Sequence, residues 1–504
     1  MDALRIAVVG AGVSGLAAAH RLRVLLGPAA EITVLERSDR IGGVLRTVEL
    51  AGVPYDVGAE AFLARRPEIL ALLDELGLRE QIVHPTSAAP SVRAGGRTVG
   101  LPGGTLLGVP TGAARLDGVL SPAGLAAVAA EPARDLHWEP GGDVALGGLL
   151  RDRFGDELAD RIADPLLGGV YAGRVDALGL RATIPTLAAA LDAGAPSLTA
   201  AADAATATPP PASRGIPARE SGSERARVAP SGRVSCGLPA SAGPVFGALR
   251  GGYRVLLDTL AAAAGADMRL GTTVRSLERT PTGWRLTLGP ATASEALDVD
   301  AVLLAVPAPA VRRLLADVSP TAAAAAGEIE LASSVVVALA YREADTASLP
   351  STSGALIAAG EPLSIKGATH SSNKWGHLAA GATDGLVRLR TSLGRFGEAA
   401  ELQVDDAALV ARARADLATL TGITAAPVAV HVQRWGGGLP QYAVGHDDRV
   451  RTIENMVAGL PRLAVAGSAL HGVGVPACVG TARAAAERVG ASLAPLSGRD
   501  SRTG

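Results

Sequence analysis

Three glycines near the start of the sequence, Gly10, Gly12 and Gly15, have the spacing G-x-G-x-x-G within "IAVVGAGVSGLAAAHRL". The first glycine of this pattern permits a tight turn, the second lets a pyrophosphate approach the backbone, and the third lets helix and strand pack closely. The helix then presents its positive amino end to the phosphates. Glu36 ends the next apolar run, where a carboxylate can accept hydrogen bonds from both ribose hydroxyls. These residues predict a dinucleotide site, and the carboxylate argues against the 2′-phosphate of NADP.

A glycine doublet, Gly42 and Gly43, follows closely behind that acid in "ERSDRIGGVLRT". A doublet after the second strand resembles the pattern of FAD-binding oxidases and desaturases. An ordinary Gly-Gly turn is the simpler alternative. The stretch "YDVGAEAF" comes next and predicts another close backbone approach, with Gly58 as the contact.

A second strand–turn–helix pattern stands near the carboxyl end, in "LAVAGSALHGVGVPACVGTARAAAERV". Gly472 and Gly474 allow backbone contact, and Pro476 starts a helix whose dipole favours negative charge on a reduced flavin. A structural strand–helix turn is the alternative. Because FAD is long and its ring lies far from its pyrophosphate, we expect the two turns to hold opposite parts of one FAD molecule.

The elements that must position these turns are of mixed type. "LRIAVVGAG", the helix after it and "EITVLER" form a βαβ unit, which builds a parallel sheet. Residues 65–190 show mostly helical periodicity. An Ala-, Pro-, Ser- and Thr-rich tract over residues 193–235 predicts a flexible insertion. Between residues 330 and 440, runs such as "SSVVVALAY" and "PVAVHVQRW" predict a second sheet.

Composition narrows the function further. The chain has 504 residues, which predicts more than one domain, and a net charge of −2 makes no electrostatic case for nucleic acid. Cys236 and Cys478 cannot form a disulfide framework, so we expect a reducing, cytoplasmic compartment. No apolar run is long enough to span a membrane. The sequence shows no Ser-His-Asp, metal-ligand or paired-carboxylate signature, and we expect His471, beside the second turn, to pack or hydrogen-bond rather than act as a base.

With these motifs in hand, the sequence resembles the protoporphyrinogen and coproporphyrinogen oxidase family of flavoproteins, a branch of the amine oxidase and phytoene desaturase group. The resemblance covers the chain outside the insertion. "GAGVSGLAAAHRL" and "LERSDRIGG" are common to such FAD enzymes, whereas "PLLGGVYAG", "GLRAT" and "GVGVPACV" are more specific and favour porphyrinogens over amines. The implied activity is oxidation of a porphyrinogen in heme biosynthesis, with dioxygen as acceptor and hydrogen peroxide as product, and the flavin itself carries the chemistry.

The resemblance also implies a set of FAD contacts. Val274 is expected to reach the adenine end through its backbone, and Trp435 with Val473 to Val475 is expected near the flavin ring. With the glycine doublet included, the full set of expected FAD contacts is Gly10, Ala11, Gly12, Val13, Ser14, Gly15, Glu36, Arg37, Gly42, Gly43, Val44, Gly58, Ala59, Glu60, Ala61, Val274, Trp435, Val473, Gly474 and Val475.

Substrate contacts are predicted on weaker grounds. The propionates of a porphyrinogen need cations, and Arg65 and Arg66 follow "GAEAFLA", a segment expected to border the flavin. Two arginines that simply face solvent at the start of a helix are an equal alternative, because nearly all basic residues other than histidine in this chain are arginines rather than lysines. Gly169 and Tyr171 in "GGVYAG" are substrate contacts on resemblance alone.

Several functional alternatives stay open at this level. Coproporphyrinogen III carries four propionates and protoporphyrinogen IX two, and the resemblance to actinobacterial members favours the former. A flavin amine oxidase would want an aromatic cage before "GVGVP", which the sequence lacks. A non-catalytic FAD-binding protein is the remaining class. An aromatic content of 3% favours a soluble or loosely associated enzyme, with weak peripheral membrane contact and a partner enzyme of the heme pathway left open.

The expected architecture is therefore α/β, with a discontinuous Rossmann-like FAD-binding domain, a mixed-sheet substrate domain and a helical lobe. FAD-binding segments are expected at 1–65, 241–315 and 441–492. Residues 66–192 are expected to form the helical lobe and part of the substrate domain, and 316–440 the rest of that domain. The insertion is placed at 193–240, and a tail at 493–504.

Overall fold

The computed structural model describes residues 3–207, 244–382 and 384–493. Its strands are β1 (Arg5–Val9), β2 (Glu31–Leu35), β3 (Thr47–Leu50), β4 (Val53–Asp56), β5 (Phe62–Leu63), β6 (Ile82–Val83), β7 (Pro90–Ala94), β8 (Arg97–Gly100), β9 (Thr105–Leu106), β10 (Val109–Pro110), β11 (Phe246–Leu249), β12 (Asp267–Arg269), β13 (Val274–Arg279), β14 (Trp284–Leu288), β15 (Glu295–Val299), β16 (Ala301–Leu304), β17 (Leu331–Arg342), β18 (Gly354–Ile357), β19 (Ile365–Thr369), β20 (Leu386–Leu393), β21 (Ala429–Pro440) and β22 (Leu463–Val465).

Its α-helices are α1 (Val13–Leu26), α2 (Pro67–Glu75), α3 (Pro122–Ala130), α4 (Leu146–Phe154), α5 (Asp156–Leu158), α6 (Asp164–Tyr171), α7 (Leu180–Thr183), α8 (Pro185–Asp192), α9 (Leu198–Ala207), α10 (Tyr253–Ala264), α11 (Ala308–Leu315), α12 (Pro320–Gly327), α13 (Ser371–Lys374), α14 (Asp406–Thr421), α15 (His446–Ala458) and α16 (Val475–Leu493). Short 3₁₀ turns connect several of them. Among the described residues, no helix is both long and apolar enough to cross a membrane.

A five-stranded parallel sheet carries both glycine-rich turns. Its strand order is β12-β2-β1-β16-β22, so segments from distant parts of the chain lie side by side. Both faces of β1 are covered: Ile6 and Val8 pack into the core beneath α1, α10 and α16, whereas Ala7 and Val9 pack into the core beneath β13–β15. Burial on both faces explains the unbroken apolar run of this strand.

A seven-stranded mixed sheet forms the second layer, in the order β21-β17-β20-β19-β18-β7-β8. Its pairs are antiparallel except for β18 with β7. One face packs its alternate apolar residues, such as Val337 and Leu389, against α14. The opposite face, which includes Gln433, Arg390 and Trp435, turns toward residues 46–60.

Residues 65–190 are less helical than the periodicity predicts. β7 and β8 lie in this range and complete the edge of the seven-stranded sheet. β7 pairs with β18, which lies far along the chain, and local periodicity carries no information about such a partner. The helices α3–α9 build the lobe around a separate apolar core.

The insertion placed at 193–240 needs a correction at its start. Residues 198–207 form α9, and Leu198 is fully buried in the core of the lobe. Alanine is the strongest helix former, and the buried Glu131 carboxylate accepts hydrogen bonds from the first amides of α9. Residues 208–243 and the tail from 494 lie outside the described residues. The remaining domain boundaries stay predictions.

Candidate active site

The first glycine-rich turn joins β1 to α1, and each of its glycines has a different steric reason. Gly10 has φ +102°, and a β-carbon on it would lie 2.3 Å from the carbonyl oxygen of Ala305. A β-carbon on Gly15 would lie 1.8 Å from the carbonyl oxygen of Gly10. A β-carbon on Gly12 would meet nothing within 4 Å. Glycine at positions 10 and 15 is therefore required for close backbone packing, whereas glycine at position 12 leaves open space at the amino end of α1.

Glu36 lies beside this open space, at the end of β2. Its carboxylate accepts hydrogen bonds from the amide of Ala11 at 2.9 Å and from the amide and hydroxyl of Ser38 at 2.9 and 2.7 Å. The acid is thereby held against the glycine turn at the position where a ribose would follow a pyrophosphate. The segment that leads to Val274 joins this region, because the Thr272 amide donates to the carbonyl of Glu36. An open cradle with a fixed carboxylate fits the adenosine half of a dinucleotide.

The glycine doublet touches the first turn directly. The amide of Gly42 donates to the carbonyl of Ala11 at 2.8 Å, and Gly42 forms an isolated bridge with Gly12. Gly42 and Gly43 both have positive φ, at +102° and +59°. Residue types other than glycine rarely adopt this backbone conformation, which directs the chain past the first turn toward Val44.

Val44, Gly58 and Trp435 come together beyond the doublet. A β-carbon on Gly58 would lie 2.2 Å from the carbonyl oxygen of Val44 and 3.4 Å from the Trp435 ring. The indole Nε1 of Trp435 donates to the carbonyl of Val57 at 2.9 Å. Val44 remains 47% exposed although it is apolar. An exposed valine beside a tethered tryptophan fits the wall of a site for a flat apolar ring.

Within the predicted run from Gly58 to Ala61, the Glu60 side chain has another partner. Its carboxylate forms an ion pair with Lys374, and Arg390 lies 3.6 Å away. Burial alone would raise the pKa of Glu60, but the charges of Lys374 and Arg390 outweigh burial and lower this pKa. Only the backbone of Glu60 is therefore available for the predicted cofactor contact. Arg37, the residue after Glu36, is exposed.

The second glycine-rich turn follows β22. Because β1, β16 and β22 are adjacent parallel strands, their carboxyl ends meet at one edge of the sheet. The turn rises through Gly472, at φ +141°, and enters α16 at Val475 and Pro476. Val473 packs against the core of the helical lobe. His471 stays at the surface and pairs with Glu454 at 2.7 Å, which raises the pKa of its imidazole.

The predicted substrate residues are more scattered. Arg65 is exposed, and Arg66 is held by the Glu68 carboxylate at 2.8 Å. Gly169 is exposed on α6, where a β-carbon would lie 3.6 Å from Leu356 of the seven-stranded sheet. Tyr171 is buried, which raises the pKa of its phenol to about 12. Gly169 thus lies where the lobe contacts the sheet, and Tyr171 is buried in the core of the lobe.

Sequence reasoning missed the side chains that the seven-stranded sheet brings to this region. Arg46 donates to Gln433 at 2.7 Å, and Arg390 donates to the carbonyl of Asp56 at 3.1 Å. Gln433 and Trp435 lie on one face of β21 because side chains alternate along a strand. The alternation in "VHVQRW" could have indicated this face, but no sequence signal links β21 to residues 46–57.

Comparisons with known proteins agree with this geometry. The family model described as flavin containing amine oxidoreductase matches residues 13–490. A coproporphyrinogen III oxidase of Mycobacterium leprae is 44% identical over 488 residues, which cover 97% of this chain and 98% of that protein. A coproporphyrinogen III oxidase of Propionibacterium freudenreichii is 33% identical, over 96% of this chain and 90% of that protein.

Among solved structures, a protein described as a protoporphyrinogen oxidase from Exiguobacterium has a similar fold. The TM-score is 0.79 at 27% identity, and the match covers 97% of this chain and 99% of that one. The similarity therefore extends over the parallel sheet, the mixed sheet and the helical lobe.

Proposed function

The chain belongs to the family of flavin-containing amine oxidoreductases, and from this we propose that it is an FAD-dependent coproporphyrinogen III oxidase of heme biosynthesis. The substrate is coproporphyrinogen III, the product is coproporphyrin III, and dioxygen is reduced to hydrogen peroxide. The observation that carries the proposal is the 44% identity to a protein of that name over 97% of this chain.

The protein part of the reaction consists of binding and orientation. FAD, when bound, accepts hydride from the substrate and passes the electrons to dioxygen. The open space at Gly12 and the carboxylate of Glu36 would hold its adenosine diphosphate half. Val44, Gly58 and Trp435 would border its ring. We assign no side chain as acid or base.

The substrate would lie beside α6, where Gly169 is exposed. A β-carbon on Gly169 would be in contact with Leu356 of the seven-stranded sheet, at 3.6 Å. The propionates would extend toward solvent, where the exposed Arg65 and the partly buried Arg66 are our candidates for cationic contacts.

Anaerobic mixing of the flavin-loaded protein with each porphyrinogen tests the proposal. We expect coproporphyrinogen III to bleach the visible flavin absorbance fast and protoporphyrinogen IX to bleach it slowly. The reverse order would favour protoporphyrinogen IX oxidation, the activity in the description of the Exiguobacterium structure. Bound flavin that neither porphyrinogen bleaches would overturn the proposal, and bleaching by a primary amine would then indicate an amine oxidase.

A further inference from the structure

Tyr442 and His446 lie outside every motif considered above, in "QYAVGH", which leads from the end of β21 to the first residue of α15. Both are almost fully buried, at 2% and 1% exposure. Their rings stack with centroids 3.9 Å apart and an interplanar angle of 18°. Two polar rings buried as a stacked pair need hydrogen-bond partners, and these partners identify what the pair holds.

All of these partners belong to the second glycine-rich turn. The Tyr442 hydroxyl donates to the carbonyl of Ser468 at 2.7 Å and accepts from the amide of Gly472 at 2.7 Å. The His446 Nε2 bonds the carbonyl of Leu470 at 3.0 Å. Because a carbonyl oxygen can only accept, Nε2 is the donor in this bond, and burial lowers the pKa of the His446 imidazole.

The turn depends on these two side chains for its shape. Gly467 and Gly472 have φ +129° and +141°, so the backbone between them does not follow the hydrogen-bonding pattern of a helix or a strand. Buried backbone groups without regular partners must be satisfied by side chains. Tyr442 and His446 bond alternate residues from 468 to 472, and α16 starts at Val475 immediately afterwards.

The stacked pair is itself anchored on the helical lobe. The amide of Gly179 donates to the carbonyl of Tyr442 at 2.7 Å, and the amide of Gly445 donates to Asp143 at 2.9 Å. The Tyr171 ring lies 5.4 Å from the Tyr442 ring. The position of the turn is therefore set by the lobe as well as by β22.

We propose that Tyr442 and His446 are positioning residues that hold the second glycine-rich turn, and with it the amino end of α16, in place against the flavin. The amino end of a helix favours negative charge, so its placement stabilises the reduced flavin. The inference rests on membership of the flavin family and not on the identity of the substrate.

The test compares Tyr442→Phe with Tyr341→Phe. Each removes one hydroxyl from a buried tyrosine, but Tyr341 packs in the core beneath α14 and its hydroxyl bonds Arg414. We expect Tyr442→Phe to weaken FAD binding about tenfold, the effect of one lost hydrogen bond pair. It should also shift the midpoint potential of the bound flavin to a more negative value. Tyr341→Phe should change neither quantity.

Equal FAD dissociation constants and midpoint potentials in the two variants would overturn the proposal and leave Tyr442 a packing residue. If Tyr442→Phe does not fold, His446→Phe decides by the same measurements, because it keeps a stacked ring and removes only the donor to Leu470. None of these measurements uses a porphyrinogen, so failure of the proposed substrate and failure of this inference are distinguishable.

Discussion

Gly12 and Gly15 belong to one glycine-rich turn, yet the space around their α-carbons differs. A β-carbon at Gly15 overlaps the carbonyl oxygen of Gly10, whereas one at Gly12 enters open space. We therefore expect Gly15→Ala to lower the free energy of unfolding of the FAD-free protein by about 1–3 kcal/mol, because the helix must shift. Gly12→Ala should leave that free energy unchanged and weaken FAD binding by roughly tenfold or more.

Urea unfolding of the FAD-free variants and titration with FAD measure these two quantities separately. If Gly12→Ala bound FAD as tightly as the parent protein, the pyrophosphate would not lie over Gly12, and the site described above would be wrong.

Arg65 and Arg66 follow the segment expected to border the flavin, and Arg66 forms an ion pair with Glu68 at 2.8 Å. We expect Arg65→Met and Arg66→Met each to raise KM for coproporphyrinogen III by up to about tenfold, since a charge-assisted hydrogen bond is lost. Arg79→Met, at an exposed pair with Asp74 beyond α2, is the control. Unchanged KM in both Arg65→Met and Arg66→Met would remove the propionate assignment.

Two ionisable side chains, Asp56 and Lys366, are expected to make the free energy of unfolding depend on pH in opposite directions. Burial raises the pKa of Asp56 from 3.8 to about 7, against hydrogen bonds from Thr47 and Tyr253, and Arg390 and Glu60 lie nearby. Between pH 3.8 and 7 the folded state thus keeps a proton that the unfolded state loses, and stability falls as pH rises. Burial lowers the pKa of Lys366 from 10.5 to about 7.

Between pH 7 and 10.5 the unfolded state keeps the lysine proton that the folded state loses, so stability rises with pH. Each effect is at most about 5 kcal/mol. We expect Asp56→Asn to flatten the profile below pH 7 and Lys366→Met to flatten it above. Unfolding in urea at pH 5, 7 and 9 measures both slopes, and parallel profiles for parent and variants would contradict the assignment.

At the scale of elements, one buried ion pair joins three parts of the helical lobe. Arg153 of α4 bonds Glu131 at 2.8 Å, and Glu131 also accepts from the first amides of α9. Glu131 is fully buried and Arg153 is 3% exposed. Removal of one partner would leave the other charge buried without compensation.

We expect Arg153→Ala to lower the free energy of unfolding by about 3–5 kcal/mol. Arg254→Ala, which breaks a half-exposed pair with Glu49, should cost less than about 1 kcal/mol and serves as the control. Urea unfolding followed by circular dichroism compares the two. Similar losses would show that the lobe does not depend on this pair.

The helix that contains Pro165 widens over one turn to fit this proline. α5 and α6 are joined by a π-helical turn over residues 159–163, immediately before Asp164 and Pro165. Proline lacks an amide proton and its ring crowds the carbonyl of the preceding turn, so a wider turn relieves the strain. The helix then continues to Gly169, beside which the substrate is proposed to lie.

At the scale of the whole molecule, the flavin site needs both ends of the chain. We expect removal of FAD to raise amide hydrogen exchange in residues 9–16 and 466–475 together and to leave α14 unchanged, because both turns are proposed to contact the cofactor and α14 is not. The thermal midpoint should also fall, by mass action, since about 2.7 kcal/mol of stability accompanies FAD at a hundredfold excess over its Kd. A change in one turn without the other would contradict a shared cofactor.

The sequence by itself determined the chemistry of the cofactor site. Gly10, Gly15 and Gly42 stand where the backbone has no room for a side chain, so this local requirement is visible in the sequence as glycine. Glu36 follows the second strand of the βαβ unit, and this spacing places it beside them. Flavin was therefore predictable, and the family comparison confirms it. The α/β class was predictable for the same reason, because parallel strands buried on both faces need unbroken apolar runs.

Only the tertiary structure decided which distant residues meet. The pairing of Glu60 with Lys374, the tethering of Trp435 to Val57, and the stacking of Tyr442 on His446 join segments whose sequences carry no mark of one another. The same holds for β7 beside β18 and for the burial of α9 on Glu131. Residue patterns report the local backbone, whereas such contacts depend on how complete sheets and helices pack together.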